Sequence, residues 1–193
     1  MKKSKNKKTI KLHLGCGKRN IPGFINVDLA NYKHIHYKRP VDDLSIFKND
    51  SVDLIYASHV FEYFDRLQTK KVLREWKRVL TKGGILRIAI PDFENIVKVY
   101  LKYGRDLDHK GILGPLFGRW EIPGADKIVY HKTTYDFKSI KKLLGENGFK
   151  NVRRYDWRKT VHKDYDDHSQ AYIPHMDKEK GILISLNVEC NKI

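Results

Sequence analysis

Short runs of β-forming residues alternate with helical stripes along most of this sequence, and this alternation constrains the fold more than any other feature. Apolar runs rich in Ile, Val, Leu and Phe predict strands, whereas apolar residues three and four apart predict helices with one buried face. The predicted strands cover 10–14, 24–27, 52–57, 85–90, 152–157 and 182–188, and the predicted helices cover 69–80, 92–103 and 136–147. Alternation of this kind predicts an α/β fold with a mostly parallel sheet covered on both faces.

The length of 193 residues fits one domain, which we place at 10–193. Lys and Arg number 39 against 23 Asp and Glu, a net charge of +16, and five lysines fall within 1–9, a predicted disordered basic tail. No apolar run approaches the ~20 residues that span a bilayer, and no signal sequence follows the lysines, so a cytoplasmic protein is predicted. Two cysteines without metal-ligand spacing predict neither a disulfide framework nor structural zinc.

A glycine turn follows the first predicted strand. Gly15 and Gly17 flank Cys16 there, and a turn without large side chains lets a ligand approach the backbone closely. A nicotinamide dinucleotide fingerprint would need a third glycine where Asn20 stands, and an acid about 20 residues further on. Asp28 instead comes eleven residues after Gly17, at the end of the second strand, where its carboxylate can accept hydrogen bonds from two ribose hydroxyls. The pattern therefore disfavours a nicotinamide site and retains a ribose-binding carboxylate.

These residues belong to a series of motifs by which the sequence resembles the class I S-adenosylmethionine-dependent methyltransferases, in particular a small bacterial-type group (methyltransferase type 11-like). The order and spacing of the motifs carry the resemblance, which extends over nearly the whole chain. The matching strings are LHLGCG (12–17), PGFINVD (22–28), VDDL (41–44), SVDLIYASHVFE (51–62) and RVLTKGGIL (78–86).

The resemblance implies a Rossmann-like, doubly wound, mostly parallel sheet of seven strands in which the last strand runs antiparallel, with S-adenosylmethionine as the cofactor. The sequence departs from the family in two places. His13 stands where the family usually has an acid, and the stretch from Gly17 to Asp28 is too short for a full first helix. We therefore expect a shortened or absent first helix and a more open cofactor pocket.

By the same resemblance, eight residues are expected to bind the cofactor: Gly15, Cys16, Gly17, Asp28, Asp43, Leu44, Ser58 and His59. Asp28 would hold the ribose hydroxyls. Asp43 and Leu44 match the stretch that contacts adenine, with the carboxylate accepting from the exocyclic amine, but Asp42 competes with Asp43 in register. A turn or capping carboxylate is the alternative for both Asp28 and Asp43.

Two histidines are candidate catalytic bases. His59 and Glu62 follow the fourth strand and would lie three residues apart on one helical face, near the methyl donor. Methyl transfer needs alignment of nucleophile and methyl group, and a base where the acceptor is a hydroxyl or an ammonium group. His131 precedes the helix at 136, where the resembling group commonly has a histidine. The alternative for each is structural: hydrogen bonds from His59 and Glu62 could brace the cofactor loop, and His131 could cap or pack a loop.

Two long connections complete the sequence. The stretch 105–130 lacks a clear period and is interpreted as an active-site loop or lid. Within it, Arg105, Arg119 and Trp120 could hold an anionic or sugar-like acceptor. The stretch 159–180 is interpreted as a polar connection that folds over the acceptor pocket. Its Asp and His residues lack the spacing of a zinc or calcium site, so no metal is predicted.

The sequence thus predicts methyl transfer from S-adenosylmethionine to an oxygen or nitrogen of a small-molecule or glycan-like acceptor. The positive net charge keeps a nucleic-acid acceptor as one alternative, although no Asn-Pro-Pro-aromatic string follows the fourth strand. A cofactor-binding module without transfer activity is the other alternative.

Overall fold

The computed structural model describes residues 9–104, 106–107 and 111–193. In chain order the elements are β1 (Lys11–Leu14), β2 (Ile25–Asp28), β3 (Tyr37–Lys38), β4 (Val52–Ser58), α1 (Gln68–Val79), β5 (Leu80–Pro91), α2 (Phe93–Lys102), α3 (Leu113–Phe117), β6 (Arg119–Ile122), β7 (Lys127–Tyr130), α4 (Phe137–Glu146), β8 (Phe149–Arg154), β9 (Tyr172–Ile173), β10 (Ile182–Leu183) and β11 (Ser185–Lys192). Short 3₁₀ turns lie at Phe61–Tyr63, Trp157–Lys159 and His168–Gln170. The predicted tail is outside the described residues except for residue 9, and so is Arg105.

Seven strands form the central sheet, in the order β3-β2-β1-β4-β5-β11-β8. Neighbours from β3 to β5 pair in parallel, and β11 runs antiparallel to both β5 and β8. The prediction of a mostly parallel seven-stranded sheet with an antiparallel last strand is confirmed. The two-residue strand β3 was not predicted, and the run predicted as one strand at 182–188 divides at Ile184, whose N–H donates to Ala171 O.

The two faces of the sheet are covered differently. Residues alternate along each strand, so that Ile55 of β4 joins the main core beneath α1 and α4, where Trp76 and Leu144 are fully buried. Tyr56 faces the opposite side and packs with Ile21, Phe24 and Tyr165, which belong to irregular segments. Helix α2 does not join this main core but packs beside β9 and Ile184. Both faces are therefore covered, but the second one lies largely under the connection that follows β8.

No helix forms between β1 and β2, as the short spacing predicted. Side-chain hydrogen bonds order this stretch instead. His34 Nε2 lies 2.9 Å from Gly17 O, and Asn26 Nδ2 donates to Asn20 Oδ1 at 3.0 Å and to His34 O at 3.1 Å. The glycine turn is thus fixed by the loop that follows β2.

Two of the helices begin at aspartates. Asp92 is the N-cap of α2, and Asp136 accepts from Ser139 N at 2.7 Å in a capping box at the start of α4. Both helices were predicted to start at or beside these residues, and their positions are confirmed.

The stretch predicted as a structureless lid contains regular structure. Helix α3 is followed by an antiparallel hairpin of β6 and β7, which we call the cover hairpin (119–130). Its turn contains Pro123 and Gly124, which accept hydrogen bonds from Asn31 N (2.9 Å) and Lys38 Nζ (3.3 Å), respectively. Just after the hairpin, Lys132 N donates to Glu62 O at 2.8 Å. The hairpin is therefore held at both ends, by the loop after β2 and by the turn after β4.

No helix within the described ranges is long and apolar enough to cross a membrane.

Candidate active site

A cavity of about 780 Å³ opens at the carboxyl ends of β1, β2 and β4. This is the edge where ligands bind in open α/β sheets, and the volume is typical of small-molecule sites. The glycine turn, the end of β2 and the turn after β4 form its floor, the cover hairpin lies on one side, and Asp167, His168 and Ala171 of the connection after β8 contribute another wall.

The glycine turn shows two separate requirements for glycine. Gly15 has a φ of +63°, and a Cβ there would lie 2.2 Å from Val60 Cγ2, so packing excludes a side chain. Gly17 has a φ of +52°, and no atom lies within 4 Å of the position of its Cβ. The space beside Gly17 belongs to the cavity. Between them Cys16 is buried, and burial raises the pKa of its thiol to about 12, so the group stays neutral.

Asp28 lies in the cavity wall at the end of β2. Its two carboxylate oxygens accept from Gly17 N and Ala30 N, each at 2.8 Å. These bonds fix the carboxylate and leave acceptor capacity on both oxygens, since a carboxylate has about four acceptor positions.

The positions expected to contact adenine differ in whether they reach the cavity. Leu44 N donates to Glu75 Oε1 at 2.9 Å, Arg78 Nη2 donates to Leu44 O at 3.0 Å, and the Leu44 side chain is fully buried in the core. The Asp43 carboxylate accepts from Ser45 N and pairs with Arg39. Neither residue lines the cavity; Val41 and Asp42 do. Helix α1 fixes this segment through Glu75 and Arg78, and Asp42, the alternative in register, is the carboxylate that lines the cavity.

The two candidate bases converge on one buried carboxylate. His59 Nδ1 lies 3.1 Å from Glu62 Oε1, and His131 Nε2 lies 3.7 Å from the same oxygen. The other ring nitrogens are also engaged: His59 Nε2 is 3.2 Å from Ser185 Oγ, and His131 Nδ1 is 2.8 Å from Pro115 O. Glu62 is fully buried and its oxygens complete no well-formed hydrogen bond, so a positive charge on either ring would be stabilised by it.

His59 also has a special backbone conformation. Its φ of +52° is in the left-handed region, which is costly for residues other than glycine and asparagine. Ser58, just before it, is buried in the cavity wall, and its Oγ has no hydrogen-bond partner in the described structure. A hydroxyl in this position is available to a ligand.

A third histidine was not among the predicted site residues. His168 lines the cavity, its ring centroid lies 5.2 Å from that of His59, and its nitrogens have no hydrogen-bond partner among the described residues. Its accessible surface borders the cavity, while the surrounding protein desolvates the ring and lowers its pKa to about 4, so the imidazole is neutral near pH 7. Its segment was predicted to fold over the pocket, but no spacing in the sequence links position 168 to strand β4.

Of the residues proposed to hold the acceptor, Arg119 and Trp120 line the cavity from the cover hairpin. Within the described ranges, no group of three or more His, Cys, Asp and Glu side chains is arranged to hold a metal ion.

Comparisons with known proteins agree with this geometry. Residues 22–88 match the family model of a methyltransferase domain, and no curated sequence matches the chain. The fold is similar to S-adenosylmethionine-dependent methyltransferases from Methanosarcina mazei (14% identity, 97% of this chain and 94% of that chain, TM-score 0.57) and Mesorhizobium loti (18%, 96% and 91%, 0.52). It is also similar to the 1,6-didemethyltoxoflavin-N1-methyltransferase of Burkholderia thailandensis with bound S-adenosylhomocysteine (12%, 95% and 71%, 0.54).

Residues 22–88 match a methyltransferase domain, and the fold is similar to that of solved S-adenosylmethionine-dependent methyltransferases. These findings support a class I S-adenosylmethionine-dependent methyltransferase, with S-adenosylmethionine as the methyl donor.

The residues present fit this cofactor. The open space beside Gly17 admits a ligand against the backbone, and Asp28 retains acceptor capacity for a ribose diol. The unpartnered Ser58 Oγ provides a further polar contact in the same wall.

Proposed function

We propose that this enzyme methylates a hydroxyl group of a small, polar, sugar-like acceptor bound between the turn after β4 and the cover hairpin. The observation that carries the proposal is one continuous cavity, with the glycine turn and Asp28 at one side and the His168 imidazole, Arg119 and Trp120 also in its wall. Cofactor and acceptor can therefore meet in a single space.

Bound S-adenosylmethionine supplies a methyl group on a sulfonium, which is open to in-line displacement. We propose that Gly15, Cys16 and Gly17 lie along the cofactor, that Asp28 accepts from its ribose hydroxyls, and that Asp42 replaces Asp43 as the carboxylate nearest adenine. Ser58 and His59 complete this wall where β4 ends.

On the acceptor side, the ring nitrogens of His168 have no hydrogen-bond partner in the described structure. In contrast, His59 Nε2 and His131 Nδ1 lie within hydrogen-bond distance of Ser185 Oγ and Pro115 O, and the opposite nitrogen of each ring faces the Glu62 carboxylate. We therefore assign proton acceptance to His168 and a bracing role to His59 and His131. An oxygen becomes strongly acidic once it carries the incoming methyl group, so a weakly basic, neutral imidazole can take its proton. A methylated amine would remain a stronger base than this imidazole, so proton transfer to His168 suits a hydroxyl acceptor better than an amine.

The cover hairpin provides the acceptor contacts. Trp120 offers an aromatic face, on which the apolar side of a sugar ring can pack, and Arg119 offers forked donors to hydroxyls or an anionic group. The methyltransferase of Burkholderia thailandensis acts on a small molecule, and an acceptor of that size class fits a cavity of about 780 Å³.

The experiment is release of S-adenosylhomocysteine over matched panels of hydroxyl and amine acceptors, with single-stranded RNA and DNA as further arms. We expect turnover with a polyhydroxyl acceptor and none with nucleic acid at moderate salt. His168→Gln should lower turnover about 10²-fold or more while cofactor affinity is retained. His175→Gln is the matched control, because His175 lies on the same connection, is exposed and does not line the cavity. Turnover with amines alone, or an unchanged rate in His168→Gln, would contradict the proposal.

A further inference from the structure

Two oppositely charged residues from distant parts of the chain meet at the cavity. Arg19 follows the glycine turn, and Asp167 belongs to the connection after β8. Arg19 Nε donates to the backbone oxygen of Asp166, directly before Asp167, and both Arg19 and Asp167 line the cavity. The contact places Arg19 beside the segment that carries Asp167, in the same cavity wall.

Asp167 is a buried carboxylate, 7% exposed, without a cationic partner in the described part of the chain. Its Oδ2 accepts from the Tyr56 hydroxyl and its Oδ1 from Ser169 N at 2.8 Å. Each oxygen keeps acceptor capacity. A buried carboxylate with two neutral donors is costly unless a cation compensates it, so the position suits a cationic ligand group.

Nearby imidazoles do not supply that positive charge. Burial lowers the pKa of His13 to about 3 and that of His162 to about 4, so both rings are neutral at pH 7. His13 also lines the cavity, is 1% exposed, and its Nδ1 has no hydrogen-bond partner in the described structure. An unpartnered polar atom in this wall is an independent indication that a polar ligand completes it.

We propose that Asp167 and Arg19 bind the amino-acid end of the cofactor, with Asp167 accepting from its ammonium group and Arg19 donating to its carboxylate. This inference rests on the proposed placement of the cofactor in the cavity, and it adds residues that lie outside the glycine turn and β2. The two charges of the ligand match the two charges of the wall. Binding of the cofactor would then also tie the connection after β8 to the first loop of the domain.

The test uses two ligands that share adenine and ribose. S-Adenosylhomocysteine carries the zwitterionic amino-acid end, and 5′-methylthioadenosine lacks it. By calorimetric titration, Asp167→Asn should bind S-adenosylhomocysteine roughly tenfold to hundredfold more weakly, the range for a hydrogen bond between charged groups, and methylthioadenosine with unchanged affinity. Asp156→Asn is the matched control, because Asp156 also caps a 3₁₀ turn through its side chain but does not line the cavity.

Arg19→Gln gives a second variant that leaves the buried carboxylate in place. This variant should bind S-adenosylhomocysteine more weakly by a similar factor. Its affinity for the decarboxylated derivative, which keeps the amine, should be unchanged. Asp167→Asn should weaken that derivative as well. This split between the two variants is not expected of a purely structural role.

The outcomes separate the two levels of the proposal. If Asp28→Asn leaves the affinity for both nucleosides unchanged, the proposed placement of the cofactor is wrong, and this inference is wrong as well. A second outcome is that Asp28→Asn lowers the affinity for both ligands and Asp167→Asn lowers both affinities equally. Asp167 would then only stabilise its turn, and this inference alone would be overturned. Unchanged affinity of S-adenosylhomocysteine in Asp167→Asn and Arg19→Gln overturns it too.

Discussion

At the scale of single residues, Gly17 offers the simplest test of the proposed placement of the cofactor. Its left-handed φ would strain any other residue, and the empty space around its Cβ position means that packing would not oppose a methyl group. Gly23 has the same combination, with a φ of +79° and no atom within 4 Å, but it does not line the cavity. Comparing substitutions at Gly17 and Gly23 therefore separates the effect of backbone strain from the effect of contact with a ligand.

We expect Gly17→Ala and Gly23→Ala to lower the free energy of unfolding by similar amounts, about 1 kcal/mol, because both force alanine into the left-handed region. Only Gly17→Ala should lower the affinity for S-adenosylhomocysteine. Denaturant unfolding and calorimetry measure the two effects. Equal affinities in the two variants would mean that the cofactor does not approach Gly17.

His59 offers a second test at this scale. Asparagine adopts its left-handed φ more easily than most residues, so His59→Asn removes the ring without adding backbone strain. If the ring braces the turn through Glu62 and Ser185, cofactor affinity and turnover should fall together in this variant. A loss of turnover of about 10²-fold with full cofactor affinity would identify His59 as the base instead, as one of the two sequence hypotheses held.

At the scale of elements, the cover hairpin forms one side of the cavity, and we expect it to limit ligand exchange. Its tip rests on the loop after β2, and a Cβ on Gly124 would lie 2.7 Å from Asn31 Cβ. Because Gly124 and Asn31 are in such close contact, Gly124→Ala should displace the tip while the β6–β7 pairing persists.

We expect Gly124→Ala to speed the dissociation of S-adenosylhomocysteine several-fold, measured by stopped-flow fluorescence. Gly83→Ala is the control, because Gly83 has a similar φ of +78°, no atom within 4 Å of its Cβ position and no place in the cavity wall. The same dissociation rate in both variants would show that the tip does not limit release.

The elements also show why prediction succeeded for some parts and failed for others. Helices α2 and α4 have local stop and start signals, an aspartate cap at one end and an apolar stripe along one face, so sequence suffices. The cover hairpin has alternating residues on both sides of a Pro-Gly turn. Each of its four-residue strands has three exposed residues and one half-buried residue, which gives little hydrophobic contrast. Its position depends on contacts at both ends and not on its own composition.

At the scale of the whole molecule, acid should weaken the fold through the histidines beneath the second face of the sheet. The pKa values of His13 and His162 lie well below the ordinary 6.5, because burial disfavours the charged ring. Below pH 6.5 these two rings therefore bind protons in the unfolded chain but stay neutral in the folded protein. The free energy of unfolding then decreases as the pH falls from about 6.5 towards 4, by about 2 kcal/mol per ring at pH 5, and these two groups leave it unchanged above 6.5.

His162→Phe tests this expectation. The ring stacks on Tyr56 at 4.0 Å, and neither nitrogen has a hydrogen-bond partner in the described structure, so phenylalanine keeps the stacking and removes the titration. Urea unfolding at pH 7 and pH 5 should show a smaller loss of stability in the variant than in the wild type. His175→Phe, at an exposed position, should retain the wild-type pH dependence, and an identical dependence in all three proteins would contradict the assignment.

The sequence by itself determined the fold class, the missing first helix and the placing of Gly17 and Asp28 at one edge of the sheet. These follow from hydrophobic period, chain length and the ends of neighbouring parallel strands, all of which are local or nearly local properties. The tertiary structure decided which side chains line the cavity. Helix α1 holds Leu44 in the core and leaves Asp42 in the cavity wall, His131 lies beside Glu62, and Arg19 contacts the backbone at Asp166, 147 residues away. Contacts between such distant segments depend on how loops pack on the finished sheet, and no spacing in the sequence encodes them.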